Sequence, residues 1–299
     1  MTVFVIVVLA ALGMIFGSFV NALIWRMHGQ AEIREQLDKL AKRKKPSKAD
    51  TARRQTLEQE LQSLSMSKGR SMCSHCHHPL AAVDLVPLFS WLFLRGKCRY
   101  CKHRIEDTPL LEAGLPLFFV ASYIWWPLEL SGYGLLSFVI WLVVLVAFAA
   151  LTAYDFRWYL LPDKIIWPLA GLALLQVLVH VVFFDGGVAA LTSAFWGVVI
   201  CSGIFYVLHT ASKGEWIGGG DVKLGIVLGL LAGGPLPGFL LIFTASLFGT
   251  LASIPMLLQH KLKRTSVIPF GPFLMLAGVV VVLLGYRLSD WFNSLILLG

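Results

Sequence analysis

The sequence predicts an all-α, polytopic membrane protein with about eight transmembrane helices and a zinc-stapled cytoplasmic loop domain. Three observations carry this. The chain is 57% hydrophobic and only 14% charged over its 299 residues, where a soluble domain carries about a quarter charged residues. Several apolar runs approach the roughly 20 residues a helix needs to cross a bilayer core, and the short alternating segments of a membrane β-barrel are not seen. The charge is also concentrated: of 25 Lys and Arg, 17 lie between Arg26 and Arg104. Beside membrane spans this excess follows the positive-inside rule, so the lipid bilayer is the expected partner and nucleic acid is not.

Residues 1–26 form the first span, from about Val3 to Trp25. It has neither the basic start nor the clean small-residue cleavage site of a signal peptide, and is read as a retained helix. Gly17 and Ser18 permit close helix contact. Asn21 is a polar group within the span and is expected to face protein, either as helix glue or as a substrate or cofactor contact.

Residues 27–69 form a charged cytoplasmic insert. Ile33, Leu37 and Leu40 fall at helical spacing, as do Leu57, Leu61 and Leu64. Ser47 followed by Asp50 resembles a helix start. Two short amphipathic helices are expected, with a turn near Lys45 to Lys48 and apolar stripes that zip together or lie on the membrane.

Residues 70–108 form the loop domain. Cys73 and Cys76 make one Cys-x-x-Cys knuckle, and after 21 residues Cys98 and Cys101 make a second. Two such knuckles at this separation fit a tetrahedral four-thiolate zinc site, since each turns two sulfurs toward one ion. A reducing cytoplasm disfavours the disulfide alternative. His75, His77, His78 and His103 lie close enough in sequence to replace a thiolate, although surface positions suit them better. The fifth cysteine, Cys201, reads as a small packing residue.

Residues 109–299 form a seven-helix transmembrane core. The spans are about Leu110 to Leu128, Tyr133 to Tyr154, Ile165 to Phe184, Val188 to His209, Asp221 to Gly234, Gly238 to Leu258 and Val267 to Tyr286. With eight spans, Arg157, Lys164, Lys213, Lys261, Lys263 and Arg264 all fall on the side of the basic loop and only Arg287 falls opposite, so the N-terminus is expected outside the cytoplasm.

Under this topology Asp155 and Asp221 reach one membrane face. A carboxylate pair suits peptide hydrolysis: one, ionised, draws a proton from water, and the other, protonated, donates to the carbonyl or leaving nitrogen. Like charges held close together cannot both ionise cheaply, which separates the two roles. The alternatives are an interfacial anchor at Asp155 and a helix cap at Asp221. Gly218, Gly219 and Gly220 suit a mobile loop that admits a chain. Asp163, after Leu161-Pro162, looks like a helix start, where a carboxylate suits the dipole.

The pattern resembles the bacterial type IV prepilin peptidases, membrane aspartic peptidases with a Gly-x-Gly-Asp signature, here Gly218-Gly219-Gly220-Asp221. The likeness extends over nearly the whole chain: Gly17-Ser18-Phe19 with Asn21 and Arg26, Arg70-Ser71, Pro87-Leu88, Leu94-Arg95-Gly96-Lys97-Cys98-Arg99, Glu112, Asp155, Leu161-Pro162-Asp163, and Ile268-Pro269-Phe270-Gly271-Pro272-Phe273. It departs in a longer, more charged segment between Arg26 and Arg70, and in Tyr154-Asp155-Phe156-Arg157, where the family often has a more acidic pair. The resemblance implies a multi-pass bacterial inner-membrane enzyme that removes the leader of pilin or pseudopilin precursors after a glycine, on the cytoplasmic face. It implies Asp155 and Asp221 as the catalytic pair. It further implies methylation of the new N-terminal amine with S-adenosylmethionine, involving the loop at Gly96, with Glu112 and Asn21 as further cofactor-binding candidates. For Gly96, close backbone approach to the cofactor or amine competes with a simple role in the turn into the second knuckle.

Two other classes are distinguishable. A proton-coupled transporter using Asp155 and Asp221 would carry its ionisable residues near the bilayer midplane and often repeat its halves. The aspartates here share a face, and no convincing repeat is found. A non-catalytic assembly scaffold would use the zinc loop to dock partners and would tolerate loss of either aspartate.

Overall fold

The computed structural model describes residues 2–43, 47–65, 71–73, 75–76, 78–105, 109–184, 186–259 and 268–297. The described residues contain ten α-helices: α1 (Thr2–Ala41), α2 (Lys48–Ser63), α3 (Phe89–Phe93), α4 (Leu110–Trp125), α5 (Gly132–Trp158), α6 (Asp163–Phe183), α7 (Gly187–Ala211), α8 (Gly219–Ala232), α9 (Pro235–Leu258) and α10 (Gly271–Leu297). A 3₁₀ turn spans Ala82–Leu85. Among the described residues the only strand-like pairing is two isolated antiparallel bridges. Of the described helices, α1, α5, α6, α7 and most of α9 are long and apolar enough to cross a membrane, and α4 and α10 add shorter apolar stretches. The protein is therefore an all-α integral membrane protein, and each of the eight expected spans falls on one helix.

The boundaries differ in instructive places. The first span does not end at Trp25. The helix runs unbroken to Ala41 and absorbs the first amphipathic segment. No proline interrupts it, and Arg34, Glu35, Gln36, Leu37 and Lys39 are good helix formers, so nothing in the sequence stops it. Asp155 does not close α5 but sits in its last turn, and the helix ends at Tyr159 in the left-handed region at φ 54°. The helix α8 has only 14 residues, about 21 Å of rise, too short to cross a core of roughly 30 Å by itself. The last helix starts at Gly271 and runs to Leu297, past the expected end at Tyr286. Val267 lies outside the described residues, as do Arg70, His77, Lys261, Lys263 and Arg264.

The chain divides into two compact units, Met1–Val120 and Ala121–Gly299. In the first, α1 and α4 approach closely. A Cβ at Gly13 would lie 2.5 Å from Pro116 Cα, and one at Gly17 would lie 2.6 Å from the Leu111 carbonyl oxygen. These two glycines, four residues apart on one helix face, let backbone meet backbone. Farther along, α2 folds back on α1. Ile33 and Leu57 are buried, Gln30 Nε2 donates to the Leu64 carbonyl at 2.9 Å, and Arg53 donates to Gln36 Oε1 at 3.2 Å. The stripes therefore zip together. Ser47 caps α2 in a reciprocal capping box with Asp50, as its sequence predicts. Of the expected turn, residues 44–46 lie outside the described set.

In the second unit, α8 is enclosed by α6, α7, α9 and α10. Leu224, Val227 and Leu228 are almost fully buried. Gly225 and Gly229 let α8 lie directly against the α7 backbone at Cys201 and Val198. Cys201 is fully buried there, and its Sγ donates to the Gly238 carbonyl at 3.5 Å, a packing role as expected. Phe138, Trp141, Val144, Leu145, Phe148 and Leu151 give α5 an apolar buried face, and Trp141 Nε1 donates to Ser122 Oγ at 2.9 Å.

Candidate active site and metal centre

Asp155 and Asp221 lie in the second unit. Asp155 is buried, only 6% exposed. Its carboxylate accepts the backbone N–H of Gly271. Asp221 is the third residue of α8, and its carboxylate accepts the N–H of Gly218, the residue that caps the helix. The two carboxyl groups interact electrostatically. One side chain links their supports: Leu161 comes within 3.0 Å of a Cβ built on Gly220 and 3.5 Å of one built on Gly271. The capping bond at Asp221 does not exclude chemistry there, because a carboxylate has about four lone-pair sites and this bond occupies one.

Asp163 opens α6 as expected, and it has a partner the sequence did not announce. Lys223 Nζ donates to both of its carboxylate oxygens, at 2.7 and 2.8 Å. The pair ties the start of α6 to α8 two residues beyond Asp221. His209 was also missed. Its Nδ1 lies 2.7 Å from the Ile217 carbonyl oxygen, so the loop before the glycines folds against the last turn of α7. Neither contact is legible from spacing, because each joins residues brought together by helix packing or by a turn.

In the first unit, the sulfurs of Cys73, Cys76, Cys98 and Cys101 all lie within 4.8 Å of one another, and those of Cys73 and Cys101 are 3.9 Å apart. A tetrahedral zinc with Zn–S of about 2.3 Å requires sulfurs about 3.8 Å apart, so the four residues fit a zinc ion. The two knuckles repeat one design. Cys73 N–H donates to the His78 carbonyl at 3.0 Å, and Cys98 N–H donates to that of His103 at 2.8 Å. An antiparallel bridge closes each, Met72 to Pro79 and Lys97 to Arg104. Burial opposes ionisation of Cys73, but hydrogen bonds from the Cys76 and His75 backbone and from the neighbouring thiols outweigh it and bring the thiol down to about 7. His75, His78 and His103 are exposed. His75 stacks on His103, and His78 on Tyr100.

The knuckles border a cavity of about 250 Å³ whose wall includes Asn21, Asp84, Trp91, Arg99 and Glu112. Asp84 accepts from Arg99 Nε at 2.6 Å and from Tyr100 Oη at 3.3 Å. Burial opposes its charge, but these bonds and the Ala81 N–H hold its carboxyl below the usual range. Glu112 Oε2 accepts the Leu88 N–H at 2.7 Å, holding Leu88 at its positive φ of 60°. Gly96 is not in the wall. It stands behind the wall at φ +67°, and a Cβ there would lie 3.1 Å from the Trp91 indole. The Trp91 Nε1 is buried without a hydrogen-bond partner among the described residues.

Residues 11–126 match the family model described as the bacterial peptidase A24 N-terminal domain, and residues 142–254 match that of the type IV leader peptidase family. The prepilin leader peptidase/N-methyltransferase of Aeromonas hydrophila is 36% identical over 230 residues, covering 75% of this chain and 74% of that one. Its namesake in Stutzerimonas stutzeri is 31% identical over 291 residues, covering 93% and 90%. That of Dickeya chrysanthemi is 33% identical over 288 residues, covering 95% and 93%. No solved structure matches the chain.

Proposed function

Because the chain belongs to the type IV leader peptidase family, we propose that it cleaves the leader from pilin or pseudopilin precursors after a glycine and then methylates the new N-terminal amine. The observation that carries the peptidase half is the carboxyl pair. Asp155 and Asp221 interact, and each is held by one glycine N–H. One aspartate, ionised, takes a proton from the attacking water. The other, protonated, gives one to the departing nitrogen, and the pair is reset when they exchange roles. The glycine N–H bonds fix both carboxylates before substrate arrives, and such preorganisation is worth several orders of magnitude in a reaction limited by positioning. The glycines expected in a mobile loop are instead the start of a helix: Gly218 caps α8, and Gly219 and Gly220 lie in its first turn, where they hold Asp221 rather than admit a chain.

The methyltransferase half rests on the first unit. The cavity supports it: carboxylate, amide, guanidinium and indole groups line one small space, and the unmet Trp91 donor fits a ligand that brings an acceptor. A site of about 250 Å³ is close to the lower bound of roughly 300 Å³ for small-molecule pockets. S-adenosylmethionine, when bound, supplies an activated methyl group on a sulfonium centre. Asn21 and Glu112 are the polar residues that would hold it or the amine, and Gly96 keeps the Trp91 ring in its seat. A zinc ion on Cys73, Cys76, Cys98 and Cys101 would hold the loop in shape. The Lys and Arg distribution supports a periplasmic N-terminus, with both sites on the cytoplasmic side of the bacterial inner membrane. The test is incubation of the purified protein with a precursor and S-adenosylmethionine, with leader removal and amine methylation followed separately. Failure to remove the leader overturns the peptidase reading, and cleavage without methylation overturns the second.

A further inference from the structure

Between the two knuckles, the stretch 83–93 exposes six large apolar side chains: Val83, Leu85, Val86, Phe89, Leu92 and Phe93. Single exposed apolar residues are ordinary, but a contiguous patch marks a contact surface. Phe93 is 83% exposed, Val83 66% and Leu92 61%. Side chains this far out form a ridge, whereas a groove that grips a partner helix half-encloses its lining.

The opposite side of this stretch shows where the ridge sits. Ser90, Trp91 and Leu94 share the cavity wall with Ser18, Asn21, Ala22, Trp25 and Arg26 of α1. Leu88 is bonded to Glu112 in the first turn of α4. These are the last apolar turns of one span and the first turn of the next helix, the depth at which a chain leaves a bilayer and aromatic residues gather. Phe19 and Trp25, in those same turns of α1, are themselves exposed, as apolar side chains at the membrane boundary would be. Arg95, Lys97 and Lys102 follow the ridge in the chain and are exposed as well.

We infer that the stretch Val83–Phe93 is an interfacial membrane anchor, with its apolar side chains in the headgroup and acyl boundary of an anionic bilayer and the basic residues after it among the headgroups. Short apolar elements flanked by Lys and Arg bind lipid surfaces in this way. The anchor holds the cysteine loop and its cavity against the membrane plane, where a precursor whose apolar helix stays in the bilayer presents its end. The proposal stands independently of the chemistry assigned to the cavity.

The test is photocrosslinking of the full-length protein in vesicles of phosphatidylethanolamine and phosphatidylglycerol. p-Benzoylphenylalanine replaces, one at a time, Phe93, Leu92, the α1 residue Phe19 and the exposed α2 residue Gln59. Lipid adducts at Phe93 and Leu92 are expected at about the yield of Phe19 and about tenfold above Gln59, as for side chains buried in the interface. Yields at the Gln59 background would overturn the inference. So would adducts that shift from lipid to an added precursor peptide, since that result makes the ridge a protein-docking face.

Discussion

The backbone N–H of Gly271 donates to the carboxylate of Asp155, and a Cβ at Gly271 would stand 2.6 Å from Asp155 Oδ2. The absence of a side chain at the first residue of α10 is thus what lets a carboxylate on α5 rest against that helix's N-terminus. Such an end supplies free N–H groups and a favourable dipole for an anion.

Gly271→Ala is expected to push the Asp155 carboxylate aside. Misplacement by about 1 Å costs on the order of 100-fold in a reaction that depends on geometry. Cleavage of a precursor should fall by about that factor, whereas methylation of an already cleaved peptide should continue. Unchanged cleavage in a folded variant would remove Gly271 from the site.

Asp155→Asn and Asp221→Asn should each abolish leader removal at matched expression. Asparagine keeps the size of the side chain but serves neither as base nor as acid. In the parent protein, cleavage should fall at both acidic and alkaline extremes, because one carboxyl must be ionised and the other protonated. Near-parental cleavage by either variant sinks the mechanism.

One zinc per chain is expected by metal analysis after purification without chelator. Cys98→Ser should lower the zinc content and expose residues 71–105 to protease, while helices α5 to α10 keep their protection, since bilayer burial and helix packing hold them. Full zinc retention in that variant would mean the four sulfurs do not share an ion.

Gly96→Leu should cut methylation far more than cleavage. The position needs a positive φ, and a side chain there meets the Trp91 indole at 3.1 Å, so the ring must leave its place in the cavity wall. Weaker binding of S-adenosylmethionine by calorimetry should accompany the loss. Equal loss of both activities in a zinc-retaining protein, or loss of neither, contradicts this division.

Much of the molecule was legible because its causes are local. Apolar run length placed a helix at each expected span, five of them long and apolar enough to cross a membrane, since such a helix is defined by its own residues and the bilayer. The Cys-x-x-Cys spacing pointed to Cys73, Cys76, Cys98 and Cys101 because each knuckle is a turn closed within eight residues, Met72 to Pro79 and Lys97 to Arg104. The Ser47 and Asp50 capping box lies within a single helical turn. Helix ends were less legible. Nothing local stops α1 at Trp25, and the polar residues beyond it continue the helix as readily as the apolar ones before it.

What the tertiary structure decided is the set of contacts between distant residues. From the number of expected spans and the sign of the loops, the sequence by itself led to the expectation that Asp155 and Asp221 share one membrane face. It did not bring Gly271 to Asp155, 116 residues apart, or Lys223 to Asp163. Those pairings depend on which helix faces lie together, and that follows from small residues such as Gly225 and Gly229, whose effect is felt only when another backbone is already beside them.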